Sequence, residues 1–282
     1  MSTPATQQTM QSFRDIVLRY YAQHGRDMPW RRDYAAYNVL VSEVMLQQTQ
    51  VSRVMVKYTE FMAAFPDIEQ LAQAPVEDLL RVWKGLGYNR RALWLQRTAA
   101  VVQTDYDGLI PADRKQLVAL PGVGPNTAGA ILAYAYNQPV VFIETNIRRV
   151  FLHHFFADTV DVPDSQLLPY IAQALEGQDP RTWYWALMDY GTHLSQTVEN
   201  PNRRSKHYAK QSKFAGSHRQ LRGRLLERAL RSSFTAREIE QQELDFEVQT
   251  IQRAIEELIH EGFLSRVGET LTMKTNDTLA KE

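Results

Sequence analysis

Two glutamates and one glycine-rich turn hold the residue types that could do chemistry in this chain. Glu43 sits in VSEVML, with Val41, Val44, Met45 and Leu46 around it. Loss of water in such a neighbourhood raises a carboxyl's pKa, so Glu43 is expected to stay protonated and act as a general acid. Glu144, in VVFIETNIRRV, stands at the head of a helical pattern. The positive end of the helix dipole is expected to hold it ionised, facing a developing positive charge. The turn is LPGVGPNTAGAIL (Leu120–Leu132). Its glycines permit positive φ and leave room for a phosphate, and the helix expected over Thr127–Tyr136 adds unpaired amides at its start. Such a cradle grips a nucleic-acid backbone without reading bases. Singly, each glutamate reads as a surface or capping carboxylate, and GxG as a tight helix–helix turn. The whole LPGVGxxTA string reads as a backbone cradle.

The elements that must position these groups are helices. Amphipathic patterns cover 9–24 and about Tyr37–Phe65, the second broken near Gln50. Pro66, Pro75 and Gly85 punctuate three short helices down to Val102, and Pro111 opens the next. Asp164 and Ser165 read as N-caps before LLPYIAQALEG, and Asp179-Pro180 starts a further helix. Alternating strand patterns are nearly absent, so the main body is all-α. Residues 200–222 lack a period and read as a linker. Beyond them, Gly223–Ser232, Thr235–Gln242 and Glu247–Glu261 are helical, and EGFLSRVGETLTM forms two β-like runs turning at Gly268. That order suggests a small winged-helix-like module, for which nucleic-acid contact and a packing or partner role are both open.

With 282 residues, 44% hydrophobic and 23% charged, the chain has core material for one to three domains. It has no cysteine, which excludes disulfides and thiolate-bound metals. No apolar run approaches the roughly 18 residues of a membrane span, and MSTPATQQTMQSF is not a secretory signal, so a cytoplasmic, nucleoid-associated chain is expected. Zero net charge hides an asymmetry. Residues 200–237 carry eleven Lys and Arg against one acid, and residues 238–282 carry eleven acids against four bases. The basic stretch, interleaved with His207, Tyr208 and Phe214, tilts toward a polyanion contact.

LPGVGPNTA resembles the helix–hairpin–helix element of the DNA glycosylase superfamily that includes endonuclease III. In that family a catalytic aspartate lies 18 residues beyond the position of Asn126, in D-x-N-V-x-R-V. Here that count reaches Glu144, in ETNIRRV, with Asn146, Arg149 and Val150 also matching. GRDMPWR (Gly25–Arg31), VSEVMLQQTQV (Val41–Val51) and WKGLGYNRRA (Trp83–Ala92) narrow the resemblance to the adenine DNA glycosylases, over about residues 10–195.

The resemblance implies a two-lobed helical catalytic domain over 1–199, with a six-helix lobe at about 30–137 and a second lobe from 1–29 plus 138–199. It implies removal of adenine opposite 8-oxoguanine or guanine in double-stranded DNA. Glu43 would protonate the base at N7, and Glu144, with Asn146 beside it, would support the sugar cation. Arg26, Trp30, Arg31, Asn126 and Trp185 would line the pocket for the flipped base. Gln48, Thr49, Leu86 and Tyr88 would fill or wedge the duplex. Gly122, Val123, Gly124, Asn126 and Thr127 would hold the DNA backbone. Carbonyls of Val118, Leu120 and Val123 would hold a monovalent cation.

Four departures bear on those expectations. Glu144 is one methylene longer than aspartate, and a misplacement of about 1 Å can cost on the order of a hundredfold. Asn126 replaces the lysine of bifunctional relatives, so no Schiff base forms and a lyase step is not expected. Trp185 stands where relatives carry a glutamine or glutamate that hydrogen-bonds adenine, which keeps thymine or a modified purine open as the substrate. Without cysteine there is no iron–sulfur cluster and no cofactor is expected. The basic segment takes its place, with Arg203, Arg204, Lys206, Lys210 and Lys213 as DNA contacts. A non-catalytic DNA-binding or lesion-sensing protein is the reading from another class, against which a buried acid in SEVMLQQTQV argues. A monomer is expected, with a linker at 200–222, the module at 223–274 and a tail at 275–282.

Overall fold

The computed structural model describes residues 6–210 and 213–274, and the expected tail at 275–282 lies outside the described residues. The chain runs through α1 (Gln7–His24), α2 (Pro29–Arg32), α3 (Ala36–Leu46), α4 (Val51–Ala64), α5 (Ile68–Gln73) and α6 (Val76–Trp83). It continues with α7 (Arg90–Asp105), α8 (Arg114–Ala119), α9 (Pro125–Tyr134), α10 (Thr145–Phe155), α11 (Asp164–Leu175) and α12 (Pro180–Thr197). A 3-10 turn, Pro201–Arg204, leads to α13 (His218–Ala229), β1 (Phe234–Thr235), α14 (Ala236–Gln242), α15 (Val248–His260), β2 (Leu264–Val267) and β3 (Thr270–Met273). Among the described residues, no helix is long and apolar enough to cross a membrane.

Two compact units divide the chain, each assembled from two separated stretches. One joins the residues up to Glu43 with Ile110–Lys210, and the other joins Val44–Leu109 with the residues after Lys210. The divisions fall at 43 and 109 rather than at the expected 30 and 137. Glu43, the hairpin and Glu144 therefore share the first unit.

Local chemistry explains the helices of that unit. In α1, Thr6 accepts the Thr9 amide at 3.2 Å, and Met10, Phe13 and Val17 form one buried stripe. Asp179 caps α12 through the Thr182 amide at 2.9 Å, and Pro180 occupies the first helical position. Asp113 caps α8, so Pro111 precedes that helix and does not open it. Pro163, not Asp164, is the N-cap of α11. Gly191 in α12 lets the helix backbone pass close to α10, because a Cβ there would lie 2.6 Å from the Asn146 carbonyl oxygen.

In the second unit the C-terminal module is a three-helix body with an antiparallel sheet in the order β1-β3-β2, which is winged-helix-like topology. Thr235 and Glu238 form a capping box at α14. Leu221, Leu225, Ile251, Ile255, Leu258, Phe234, Phe263 and Leu271 fill the module's core. The module is not a free-standing domain over 223–274. It begins at His218, and Lys84 bridges Glu227 at 2.8 Å while Arg81 donates to the Leu230 carbonyl at 3.0 Å. Much of its basic excess is neutralised internally. Arg222 bridges Glu257 at 3.1 Å and Glu261 at 2.5 Å, Arg231 bridges Glu227 at 2.8 Å, and Arg224 pairs with Glu243.

Candidate active site

Glu43 lies near the middle of α3, between buried Ser42 and Val44. Glu144 is the N-cap of α10, with extended backbone. The two carboxyls share one neighbourhood. Burial pushes the Glu43 carboxyl well above its ordinary range, the charge of Glu144 pushes it further, and the Arg31 guanidinium opposes both. Each side chain keeps some accessible surface, yet both carboxyls are desolvated by the protein around them.

The expectation that the helix dipole holds Glu144 fully ionised is corrected. Burial raises its carboxyl to about 7, against a smaller pull from Arg148. Two local facts explain this. The Glu144 side chain accepts no capping hydrogen bond from the first amides of α10. Arg148 is already bound to Asp164 through two hydrogen bonds of 2.7 and 2.6 Å. Burial therefore outweighs the dipole at Glu144.

Asn146, two residues after Glu144, is held through its side chain. Its Oδ1 accepts from Arg149 Nη1, and that guanidinium also donates to the Gly191 carbonyl at 2.8 Å. Asn202 from the segment after α12 donates to the Thr145 carbonyl at 3.1 Å.

Arg26 and Arg31 converge on Asp189, a residue the sequence reading did not single out. Arg31 donates to both Asp189 oxygens at 2.8 Å, and Arg26 donates through Nε at 2.7 Å and through its amide at 2.8 Å. Asp189 is only 2% exposed. Burial alone would raise its carboxyl, but the Arg31 and Arg26 bonds and charges hold it below the usual range. Asp189→Asn is expected to lower stability by about 3–5 kcal/mol, because two guanidiniums lose their buried counter-charge. An unchanged urea midpoint would contradict this.

Above this fork, the Arg31 guanidinium lies 5.4 Å from the Trp185 ring centroid, and Tyr134 stacks on Trp185 at 6.2 Å with 17° between planes. Tyr134 is 5% exposed, and its hydroxyl is pushed up by burial and by the charges of Glu144 and Glu43. Tyr134 thus joins the two acids, although in LAYAYNQ it reads as an ordinary core aromatic. Trp30 is buried at 6% exposure on α2.

At the hairpin, α9 runs Pro125–Tyr134 rather than the expected Thr127–Tyr136, because Gly124 serves as its N-cap, and only Gly122 of the pair Gly122 and Gly124 takes positive φ. Gly122 has φ +73°, Gly124 is the N-cap of α9, and Pro125 occupies its first turn. No side chain caps that helix, and a Cβ at Gly124 would meet no atom within 4 Å, so the helix start is open. Val123 donates its amide to the Leu120 carbonyl at 3.2 Å. Asn126 is exposed and lines a groove of about 570 Å³ with Arg114, Phe142, Ile143 and Leu168.

The second unit gathers Thr49, Leu86 and Tyr88 around Arg91. This buried guanidinium donates to the carbonyls of Val44, Met45 and Gln47 at 2.6–2.9 Å, capping the end of α3. It also donates to Thr49 Oγ1 at 3.0 Å and to the carbonyls of Leu86 and Gly87 at 3.2 and 3.0 Å. Gln48 and Tyr88 both adopt positive φ, +53° and +47°. Leu86 is buried, so its side chain packs inward.

The basic segment is only partly a linker. Pro201–Arg204 is a 3-10 turn, and Val162 donates its amide to the Arg204 carbonyl at 2.8 Å while its carbonyl accepts the Lys206 amide at 3.0 Å. Arg204 donates to the Leu152 carbonyl at 3.1 Å and so serves the fold, while Arg203 pairs with Glu199 at 2.9 Å. Lys206, Lys210 and Lys213 are exposed. No thiol exists to hold an iron–sulfur cluster.

Comparison with known proteins agrees with this geometry. Residues 41–167 match the HhH-GPD superfamily of base excision DNA repair proteins. The chain is 35% identical to an adenine DNA glycosylase of Mycolicibacterium smegmatis over 238 residues, covering 78% of this chain and 80% of that one. It is 36% identical to the adenine DNA glycosylase of Buchnera aphidicola subsp. Baizongia pistaciae, covering 51% and 41%, and 39% identical to the human one, covering 68% and 37%. The match thus spans about two fifths of the length of several curated relatives. Among solved structures, a thermostable thymine-DNA glycosylase aligns with TM-score 0.61 and 26% identity, over 66% of this chain and 88% of that one. A trapped endonuclease III–DNA covalent intermediate aligns with TM-score 0.54 and 19% identity, over 76% and 92%, a likeness of fold. The chain belongs to the HhH-GPD superfamily of base excision DNA repair proteins, within its adenine DNA glycosylase family.

Proposed function

We propose that this chain is a monofunctional DNA glycosylase that hydrolyses the N-glycosidic bond of adenine flipped out of duplex DNA, opposite 8-oxoguanine or guanine. The single observation that carries this reading is the shared, desolvated neighbourhood of Glu43 and Glu144, in which burial raises both carboxyls and the charge of Glu144 raises Glu43 further. Glu43 donates its proton to adenine N7. The bond from N9 to the sugar then breaks, and its electron pair leaves with the base. The carboxylate of Glu144 faces the cation left on the sugar, and Asn146 and Tyr134 border it. Water adds to the sugar carbon and returns a proton to Glu43, as in glycoside hydrolysis. The open start of α9 and the exposed Lys206, Lys210 and Lys213 support a hold on the DNA backbone. A monovalent cation at the carbonyls of Val118, Leu120 and Val123 belongs to the same reading. The Leu120 carbonyl already accepts one amide, leaving one lone pair for an ion.

A second reading, in which the base is thymine or a modified purine, is favoured by Trp185, which presents an aromatic face where a polar reader of adenine is expected. Incubating the purified protein with duplexes carrying each mispair, then treating with alkali, distinguishes these. Alkali-labile strand breaks are expected at adenine and no breaks before alkali. Breaks only at thymine would favour the second reading, and no breaks at any mispair would leave a DNA-binding protein without catalysis.

A further inference from the structure

Tyr88 lies on the turn between α6 and α7, in the left-handed region at φ +47°, directly after Gly87 at φ +71°. Two guanidiniums meet its ring. Arg91 lies 5.7 Å from the ring centroid and Arg219 lies 5.3 Å from it. Arg219 also donates from Nη1 to the Tyr88 hydroxyl. The two arginines differ in kind. Arg91 is buried and spends its donors on backbone carbonyls and Thr49, so it fixes the turn itself. Arg219 is half-buried, comes from α13 of the C-terminal module, and reaches the far end of the side chain. Neighbouring Arg222, Arg224 and Arg231 turn to carboxylates of that module, whereas Arg219 turns to Tyr88.

We propose that Arg219 is a positioning residue for Tyr88, by which the C-terminal module holds that ring ready to enter the duplex beside the flipped base. This rests on the reading of Tyr88 as a wedge. A half-exposed tyrosine otherwise samples several rotamers and loses that freedom on insertion. A guanidinium that lies near the ring and binds its hydroxyl removes the freedom beforehand, which favours insertion. The module then acts on DNA through a protein side chain.

The test uses the full chain and a duplex carrying 2-aminopurine next to the mispair, whose fluorescence rises as the base unstacks. Arg219→Ala is expected to weaken unstacking about tenfold, combining one hydrogen bond and one cation–π contact. Its salt dependence of binding should match the wild type, because no phosphate contact is lost. On a Tyr88→Ala background, Arg219→Ala should cost nothing more. An equal tenfold loss there, or a salt slope reduced by about one, would mean that Arg219 binds DNA directly and would overturn the proposal. If Tyr88→Ala lowers unstacking but Arg219→Ala does not, the wedge stands and the positioning role fails. If Tyr88→Ala changes nothing, the wedge reading fails first. Should Arg219→Ala melt early, Arg219→Lys carries the test, since it keeps a cation over the ring and should lose only part of the signal.

Discussion

Glu43→Gln is expected to slow base release by about 10²–10⁴-fold while leaving affinity for the mispaired duplex within about threefold. Adenine leaves poorly as an anion, so the barrier depends on a proton delivered as the glycosidic bond breaks. Glu43 is the acid suited to deliver it. Burial and the neighbouring Glu144 charge keep its proton in place, and Arg31 tempers that effect so that the group can still give the proton up. Glutamine keeps the shape and the hydrogen-bonding capacity but has no acidic proton. Single-turnover kinetics on an adenine mispair, with binding measured separately, reads the difference. A rate within threefold of wild type would mean that another group, or water, supplies the proton.

Glu144→Gln should do two opposite things. It should reduce base release by a similar order, because the carbon left positive loses its facing carboxylate. It should also make the folded protein more stable at alkaline pH. The sign follows from linkage. A carboxyl raised from 4.5 to about 7 on folding binds its proton more tightly in the folded state. Its favourable contribution is complete below about 4.5 and is lost as pH rises through about 7. Each pKa unit is about 1.4 kcal/mol, so the folded protein gives up at most about 3 kcal/mol at pH 8, less what residual solvent screens. Removing the charge should restore about 2 kcal/mol at pH 8 and almost nothing at pH 4. Thermal melts of both proteins across that range check this, and a pH-independent difference would contradict it. The wild-type rate should correspondingly rise as pH passes through about 7, when Glu144 ionises and its charge favours the protonated form of Glu43.

The pairing of the two acids was legible through the resemblance of SEVMLQQTQV and ETNIRRV to family motifs, and each acid also carries a local signature. An acid inside VSEVML must be desolvated, and an acid before TNIRRV must sit at a helix start. Most helices were legible for the same reason, since period, caps and prolines are local signals. What escaped was whatever depends on distant chain. Arg91 reads as one more charge in NRRA, and nothing in that string says that carbonyls from residues 44–47 will surround it. Asp189 stands in MDYG with no local sign that Arg26 and Arg31 converge on it, although its place in the apolar run of a helix is a usable hint. The ionisation of Glu144 was misjudged because the dipole is visible in sequence, whereas the missing cap bond and the diversion of Arg148 to Asp164 are not. The 3-10 turn at Pro201–Arg204 was taken as linker because one short turn has no period to detect.

The interleaving of the two units carries a consequence for biosynthesis. Neither is a continuous piece of chain: the first is closed only by the stretch 110–210, and the second only by residues after Lys210. A nascent polypeptide emerging from the ribosome therefore cannot finish one unit before starting the other. After Leu109 is made, helices α4 to α7 must wait for roughly a hundred further residues before α13 arrives with Glu227 to meet Lys84. Cutting at any of the three crossings would leave half-built cores on both sides of the cut, so fragment expression is a poor route to an isolated catalytic piece. Protection by chaperones during synthesis should matter more here than for a protein of equal size whose units follow one another in order.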